Sequence, residues 1–311
     1  MKKAFLLLFL FLLISVGGHS QQFPILDNYL INPVSISPSF TGKYNRFQSF
    51  LTHRSEWTGL TGAPMVGFIS VDGSIGKTMG VGGILTMNKA GIFKNFTLNL
   101  NYAYHLQIAR NHFLSFGLTA LLYQNSIDLS GVIVNSQQDP LLSSQDGMSE
   151  TYINVGTSLL YTWKELNVCI AFPLLFNNKS FYTNNTNYDH VLTMDRNWIF
   201  YANYTVLIQT DWKMKFDFLY RDTQFSPWSF DLSTIVKFQD NYWLGIFYRK
   251  SNVIGLTAGL AVINSIVINY NYEFAGFTMM GESGGSHEIT LGYRLPFKSV
   301  KSTVQLKEYS K

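Results

Sequence analysis

The segment Asn95 to Ile108 reads NFTLNLNYAYHLQI, and every second residue is apolar: Phe96, Leu98, Leu100, Tyr102, Tyr104, Leu106 and Ile108. Asn95, Thr97, Asn99, Asn101, Ala103, His105 and Gln107 fill the positions between. Successive side chains of a strand point to opposite faces, so this run has one apolar and one polar face, far beyond the usual ~5–6 residues. About 9–11 tilted residues carry a strand across a bilayer. The pattern therefore admits a membrane-spanning stave that overall hydropathy would not disclose.

The N-terminus sets the compartment. Met1-Lys2-Lys3 precedes an apolar stretch from Ala4 to Val16, followed by Gly17-Gly18-His19-Ser20-Gln21. This is the layout of a secretory signal peptide over 1–20, and the stretch is shorter than the ~20 residues of a spanning helix. No cysteine follows to carry a lipid anchor. Cys169 is the only cysteine, so no internal disulfide can form, and its position in a strand beside Asn167 and Ala171 suits an inert thiol. Aromatic residues make up 16% and charged residues 14% of the chain, few charges for a soluble domain. Without Lys2 and Lys3 the formal charge falls from +4 to +2, which favours neither nucleic acid nor another strongly charged partner.

Alternation bounded by turn residues predicts an all-β fold of about fourteen strands: 45–54, 64–72, 78–88, 95–108, 112–124, 152–163, 166–173, 196–209, 212–221, 227–239, 241–250, 253–263, 265–275 and 286–297. An even count suits a closed bacterial barrel. After even-numbered strands the connections are tight, as at Ala109-Arg110-Asn111, Lys164-Glu165, Thr210-Asp211, Asp240-Asn241 and Asn264. After most odd-numbered strands they are longer, notably 125–151, 174–195 and 276–285. Short periplasmic turns facing longer outside loops produce this parity, whereas a β-sandwich gives no reason for it.

The cost of charge fixes which face meets lipid. Lys213, Lys215, Asp217 and Arg221 share one face of their strand, and a basic side chain facing lipid costs up to about 2–4 kcal/mol near the midplane, so that face turns inward. Ile266, Ile268, Tyr270, Tyr272 and Phe274 face outward by the same logic, opposite Asn269, Asn271 and Glu273. Ile289, Leu291, Tyr293, Leu295 and Phe297 do so opposite Glu288, Thr290 and Arg294. Trp57, Trp163, Trp198, Trp212, Trp228 and Trp243 lie near strand ends, where interfacial girdles are expected. The inward set is mainly Asn, Thr, Ser, Gly and Gln with scattered charges, and no ring of one sign can be assembled for an ion-selective pore.

Two segments fall outside the strands. Pro24, Pro33 and Pro38 make 21–44 an extended, turn-rich arm that packs in or below the barrel of 45–297. The polar, basic stretch 298–311 reads as a periplasmic tail. His53, His105, His112, His190 and His287 have no metal-ligand spacing, and no catalytic or cofactor constellation emerges. Asp189-His190 lies in an Asn-rich loop and suits solvated residues better than a protease dyad. Gly80-Val81-Gly82-Gly83 lies within a strand and precedes no helix, so phosphate binding lacks its context, and glycine there makes room for lumen neighbours or the arm.

Two segments also carry a resemblance. Tyr29-Leu30-Ile31-Asn32-Pro33, continuing to Pro38-Ser39-Phe40-Thr41-Gly42, resembles the opening of the PorP/SprF family of type IX secretion system membrane proteins. His53-Arg54-Ser55-Glu56-Trp57-Thr58-Gly59-Leu60-Thr61-Gly62-Ala63-Pro64 looks like that family's first hairpin. Gly80-Val81-Gly82, Asn88 to Gly91, Tyr102-Ala103-Tyr104 and Leu114 to Leu118 follow in order. Ser37, Ser39-Phe40-Thr41 and Glu56 depart from the family pattern. The resemblance implies a non-enzymatic, cofactor-free outer-membrane component of protein export and gliding. It also implies contact with lipid, with the C-terminal domain of a secreted adhesin and with periplasmic secretion-system lipoproteins. The candidate family and partner-contact residues are Asn32, Pro33, Pro38, Phe40, Gly42, Arg54, Trp57, Gly59, Gly62, Ala63 and Pro64. A barrel for small or hydrophobic solutes is the alternative.

Overall fold

The computed structural model describes residues 26–128, 148–176, 178–181, 191–194, 196–223, 226–250, 252–262, 265–274 and 283–296. The expected signal peptide, Asp189-His190 and the tail lie outside them. Fourteen strands close into one antiparallel barrel. In chain order they are β1 (Arg46–Ser55), β2 (Met65–Ile75), β3 (Met79–Ala90), β4 (Phe93–Ala109), β5 (His112–Ile127), β6 (Met148–Trp163) and β7 (Leu166–Phe172). After the small hairpin of β8 (Asn178–Phe181) and β9 (Val191–Met194) come β10 (Asn197–Gln209), β11 (Trp212–Thr223), β12 (Ser226–Phe238), β13 (Tyr242–Arg249), β14 (Val253–Val262), β15 (Ile266–Glu273) and β16 (Ser286–Pro296). The β8–β9 pair forms a separate two-stranded sheet within a loop, and β1 closes the barrel on β16.

The faces follow the alternation. On β4, Leu100, Tyr102, Tyr104, Leu106 and Ile108 are exposed to the surroundings, while Thr97, Asn101 and Ala103 are buried. On β16, Ile289, Leu291, Tyr293 and Leu295 face out and Glu288 and Thr290 face in. Among the described residues no helix is long and apolar enough to cross a membrane. One girdle assignment is corrected: Trp243 is only 7% exposed and donates its indole N–H to Asn269 at 2.6 Å inside the lumen. Its register neighbours Leu244, Ile246 and Tyr248 take the outward face of β13, leaving odd positions inward. Trp163, Trp212 and Trp228 do sit outward near strand ends.

One end of the barrel has connections of only two or three residues and carries the start of β1 and the end of β16. Four long connections, 56–64, 128–147, 173–196 and 274–285, join strands at the opposite end. The links at 91–92, 224–225 and 250–252 also lie there yet are as tight as turns, so the parity rests on those four loops. The two ends are called the turn end and the loop end below.

The lumen holds the arm. Three 3-10 turns, Asp27–Leu30, Pro33–Ser35 and Pro38–Phe40, carry the chain through it, and the prolines fall where a first-turn N–H has no partner to lose. Tyr29, Leu30, Val34 and Phe40 are buried against Phe50, Tyr201, Leu219, Ile235 and Phe247 of the wall. The protein core is therefore inside the barrel, built from the arm and the apolar minority of inward residues.

Candidate functional site

The arm reaches the wall on nearly every side. Asn28 Nδ2 donates to Thr52 Oγ1 at 3.3 Å on β1, and Asn32 Nδ2 to Ser70 Oγ at 2.8 Å on β2. Lys215 of β11 donates to the Leu30 carbonyl at 2.9 Å, and Ser39 N–H to Ser158 Oγ of β6 at 2.9 Å. His105 of β4 bridges the Thr41 carbonyl at 2.9 Å and Ser115 of β5 at 2.8 Å. The Cys169 thiol donates to Ser37 Oγ at 3.2 Å, a buried packing role. Two glycines make this approach feasible. A Cβ on Gly80 would stand 2.0 Å from the Thr41 carbonyl oxygen, and one on Gly117 would stand 2.3 Å from the Ser39 nitrogen. Gly80 of β3 and Gly117 of β5 are thus spacing for the arm.

At the loop end the charges that look scattered in sequence converge on the start of the arm. Arg54 donates to Asp27 at 2.9 Å, Glu273 at 2.5 Å and Glu56 at 2.9 Å. Arg249 donates to the other Asp27 oxygen at 2.7 Å, to Asp231 at 3.2 Å and to Glu273. Glu288 accepts the Asp27 backbone N–H at 2.9 Å, and Arg221 donates to both oxygens of Asp231. Asp27, Arg54, Arg249, Asp231, Glu273 and Glu288 are each at most 5% exposed. A buried carboxylate between two guanidiniums is held only while both stay, because an unpaired charge in such a site is costly. Near the turn end Lys43 donates to Thr162 Oγ1 at 3.0 Å and to Asn167, with its amine 5.1 Å above the Phe40 ring. Burial pulls that amine down to about 7.

The candidate residues divide into an inner and an outer set. Asn32, Pro33, Pro38, Phe40, Gly42 and Arg54 are buried in the lumen, and Arg54 joins the two sequence motifs through Asp27. Trp57, Gly59, Gly62, Ala63 and Pro64 stay at the loop-end rim, with Trp57 41% exposed. Trp57, Gly59 and Gly62 have φ of 45°, 99° and 77°, so the two glycines supply left-handed backbone without strain. Neighbouring loops brace this hairpin: Thr58 and Gly285 bond through Thr58 N–H to the Gly285 carbonyl at 2.9 Å, and Gly91 N–H donates to Gly62 at 3.0 Å. Sequence reasoning did not single out Asp27, Asp231, Arg249, Glu273 and Glu288 as a group. Each lies on a different element or far along the chain, and only barrel closure brings them together.

Above the arm on the other side of the lumen is a cavity of about 210 Å3, open toward the loop end. Its floor includes Val34, Ile36 and Pro38, and its walls include Asn88, Asn95, Asn99 and Asn197.

A closed fourteen-strand barrel with an apolar outer belt, aromatic strand ends and its own N-terminal arm in the lumen defines an outer-membrane β-barrel protein. The chain belongs to the type IX secretion system membrane protein PorP/SprF family, whose model matches residues 18–293. It is accordingly an outer-membrane component of that secretion system. No curated protein matches the sequence. Among solved structures, the CymD monoaromatic hydrocarbon channel aligns with a TM-score of 0.53 at 12% identity over 91% of this chain and 96% of that one. The toluene transporters TodX of Pseudomonas putida and TbuX of Ralstonia pickettii each give 0.50 at 10% identity, over 90% of this chain and 96% of theirs. At these identities the likeness concerns the barrel fold.

Proposed function

We propose that this barrel is a non-enzymatic dock that holds a secreted surface protein, of the adhesin kind, at the outer face of the membrane. The long loops then face outward, the C-terminal domain of the secreted protein rests on the loop-end rim around Trp57 to Pro64, and the turns and the 298–311 tail meet periplasmic secretion-system lipoproteins. The observation that carries this reading is the arm: it occupies the lumen, locked by Asp27 between Arg54 and Arg249, while the exposed half of the family motif stays at the rim. The 1–20 segment serves as the export signal in this scheme.

A pore for small or hydrophobic solutes is the second reading, favoured by the hydrocarbon channel and toluene transporters whose fold it shares. The occupied lumen weighs against free passage. Affinity recovery from detergent-solubilised outer membranes separates the two. Docking predicts co-purification of a secreted surface protein or secretion-system lipoproteins, reduced at least tenfold by Trp57→Ala with Gly59→Val, and no steady conductance in planar bilayers. Recovery of neither, together with single-channel conductance from the wild type, would sink docking in favour of the pore.

A further inference from the structure

The loop-end cavity gathers unspent hydrogen-bonding capacity from several strands. The side-chain oxygens of Asn88, Asn95, Asn99, Asn125 and Asn197 are buried and find no hydrogen-bond partner among the described residues. Four of those five residues line the cavity. Their arrangement is ordered: Asn88 pairs with Asn95 across β3 and β4, and Asn95 with Asn125 across β4 and β5, giving a row of three amides. Down β4, Asn95, Thr97, Asn99 and Asn101 form an inward polar column, of which Asn101 is already engaged by Thr119 at 2.7 Å. Buried amides are normally satisfied, so an ordered set of oxygens left without donors points to a ligand that supplies them.

The chemistry of that ligand follows from the lining. Arg221 is the one charged residue there; its Nη2 bonds both oxygens of Asp231, which balances its charge, while its Nε stays a further buried donor, so the cavity suits a neutral guest. Ile84, Leu121 and Ile199 place apolar patches between the amides, so the guest is partly apolar. A pure hydrocarbon would leave the amides unpaired. An extended polypeptide meets every condition. Its dipeptide repeat of about 6.8 Å equals the spacing of alternate inward side chains along β4, so a guest strand beside β4 presents a backbone N–H to Asn95, Thr97 and Asn99 in turn.

We propose that this cavity receives an extended, uncharged polypeptide segment of the docked secreted protein, with the side-chain amides of Asn88, Asn95, Asn99 and Asn197 bonding its backbone. The inference rests on the docking reading and adds to it: the partner is not only seated on the rim but also inserts a segment above Val34 and Ile36. The floor of the cavity, made by the arm, limits how far that segment descends.

The test uses the full-length protein in its own outer membrane, with p-benzoylphenylalanine as a photoreactive probe at Thr86 in the cavity or at exposed Thr61 on the rim. Expected are adducts from both positions, the Thr86 adduct mapping by mass spectrometry to an uncharged stretch of a secreted polypeptide. In an Asn95→Leu, Asn99→Leu background, the Thr86 adduct should fall at least tenfold while the Thr61 adduct persists. Adducts at Thr61 alone, a sugar-bearing or own-chain adduct at Thr86, or an Asn95→Leu, Asn99→Leu protein that keeps its Thr86 adduct would overturn this inference and leave docking standing. Absence of adducts at both positions would overturn both. Heat-modifiable migration on SDS gels reports that each variant is folded. Should the Thr86 probe prevent insertion, retention of the secreted protein by the Asn95→Leu, Asn99→Leu barrel, read by affinity recovery, decides instead: an unchanged yield refutes the groove.

Discussion

The two sides of the lumen obey opposite rules. Where the arm begins, against β1, β12, β13, β15 and β16, Asp27 is clamped by Arg54 and Arg249, and Glu288 holds its backbone N–H. Across the barrel, against β3, β4, β5 and β10, asparagine oxygens are buried without partners. The first side has spent its carboxylates on holding the arm, with Asn28 Oδ1 and Arg221 Nε left over there, while the second keeps a row of asparagine oxygens in reserve. A polar lining is therefore not one property: satisfied charges fix a structure, while unsatisfied neutral amides mark a place where something else completes it.

The largest expected effect attacks the satisfied side. Arg249→Leu removes the one cation that meets Asp27, Asp231 and Glu273 together, leaving Arg54 with Asp27 and Glu273 and Arg221 with Asp231, and should cost about 3–5 kcal/mol. It should also expose the chain near Lys43 to trypsin while the barrel persists. Urea titration followed by gel migration, with limited proteolysis beside it, measures both, and an unaltered midpoint would show that the clamp is dispensable. Next in size, Gly117→Val drives a side chain into the arm backbone at Ser39, an overpacking of about 1–3 kcal/mol. Planar-bilayer recordings of this variant should show conductance steps absent from the wild type, since the arm must shift. Silent membranes would mean that the arm does not control passage.

The reserve side should respond far less. Asn95→Leu with Asn99→Leu breaks no bond to either side-chain oxygen and removes buried unpaired polar atoms, so stability should stay within about 1 kcal/mol or rise. A loss as large as that of Arg249→Leu would erase the contrast between the two sides. The smallest effect concerns Lys43. Burial lowers its amine to about 7, so the folded form prefers the neutral amine, and the associated stability, full above the ordinary lysine value of ~10.4, declines as pH falls toward 7. Lys43→Met should flatten the rise in unfolding midpoint between pH 7 and pH 10, as read by the same urea titration. A wild-type slope that survives the substitution would assign it to another group.

Much of the architecture was legible because a membrane strand states its own orientation. Alternation along Asn95 to Ile108 gave both faces of β4, and Lys213, Lys215 and Asp217 gave the inward face of β11, since charge cannot face lipid cheaply. Strand bounds came within a few residues. Trp243 was misread because proximity to a strand end was weighed above parity. The candidate site was legible as motifs, with Arg54 and Asn32 to Gly42 named, but their meeting was not. Asp231, Arg249, Glu273 and Glu288 are separated by whole strands and carry no local pattern. The unsatisfied asparagines looked like any other polar inward positions.

By itself, then, the sequence determined the class of protein, its strand count, the side that meets lipid and the family to which it belongs. Each of these depends on local periodicity, on the cost of a charge in hydrocarbon or on short motifs, and all are written residue by residue. Only the tertiary structure decided that the arm fills the lumen, that Asp27 is its clasp and that Asn88, Asn95, Asn99 and Asn197 surround an open cavity. Those properties belong to closure: when β1 meets β16, side chains far apart in the chain come within hydrogen-bonding reach, and the groups left without partners become visible only then.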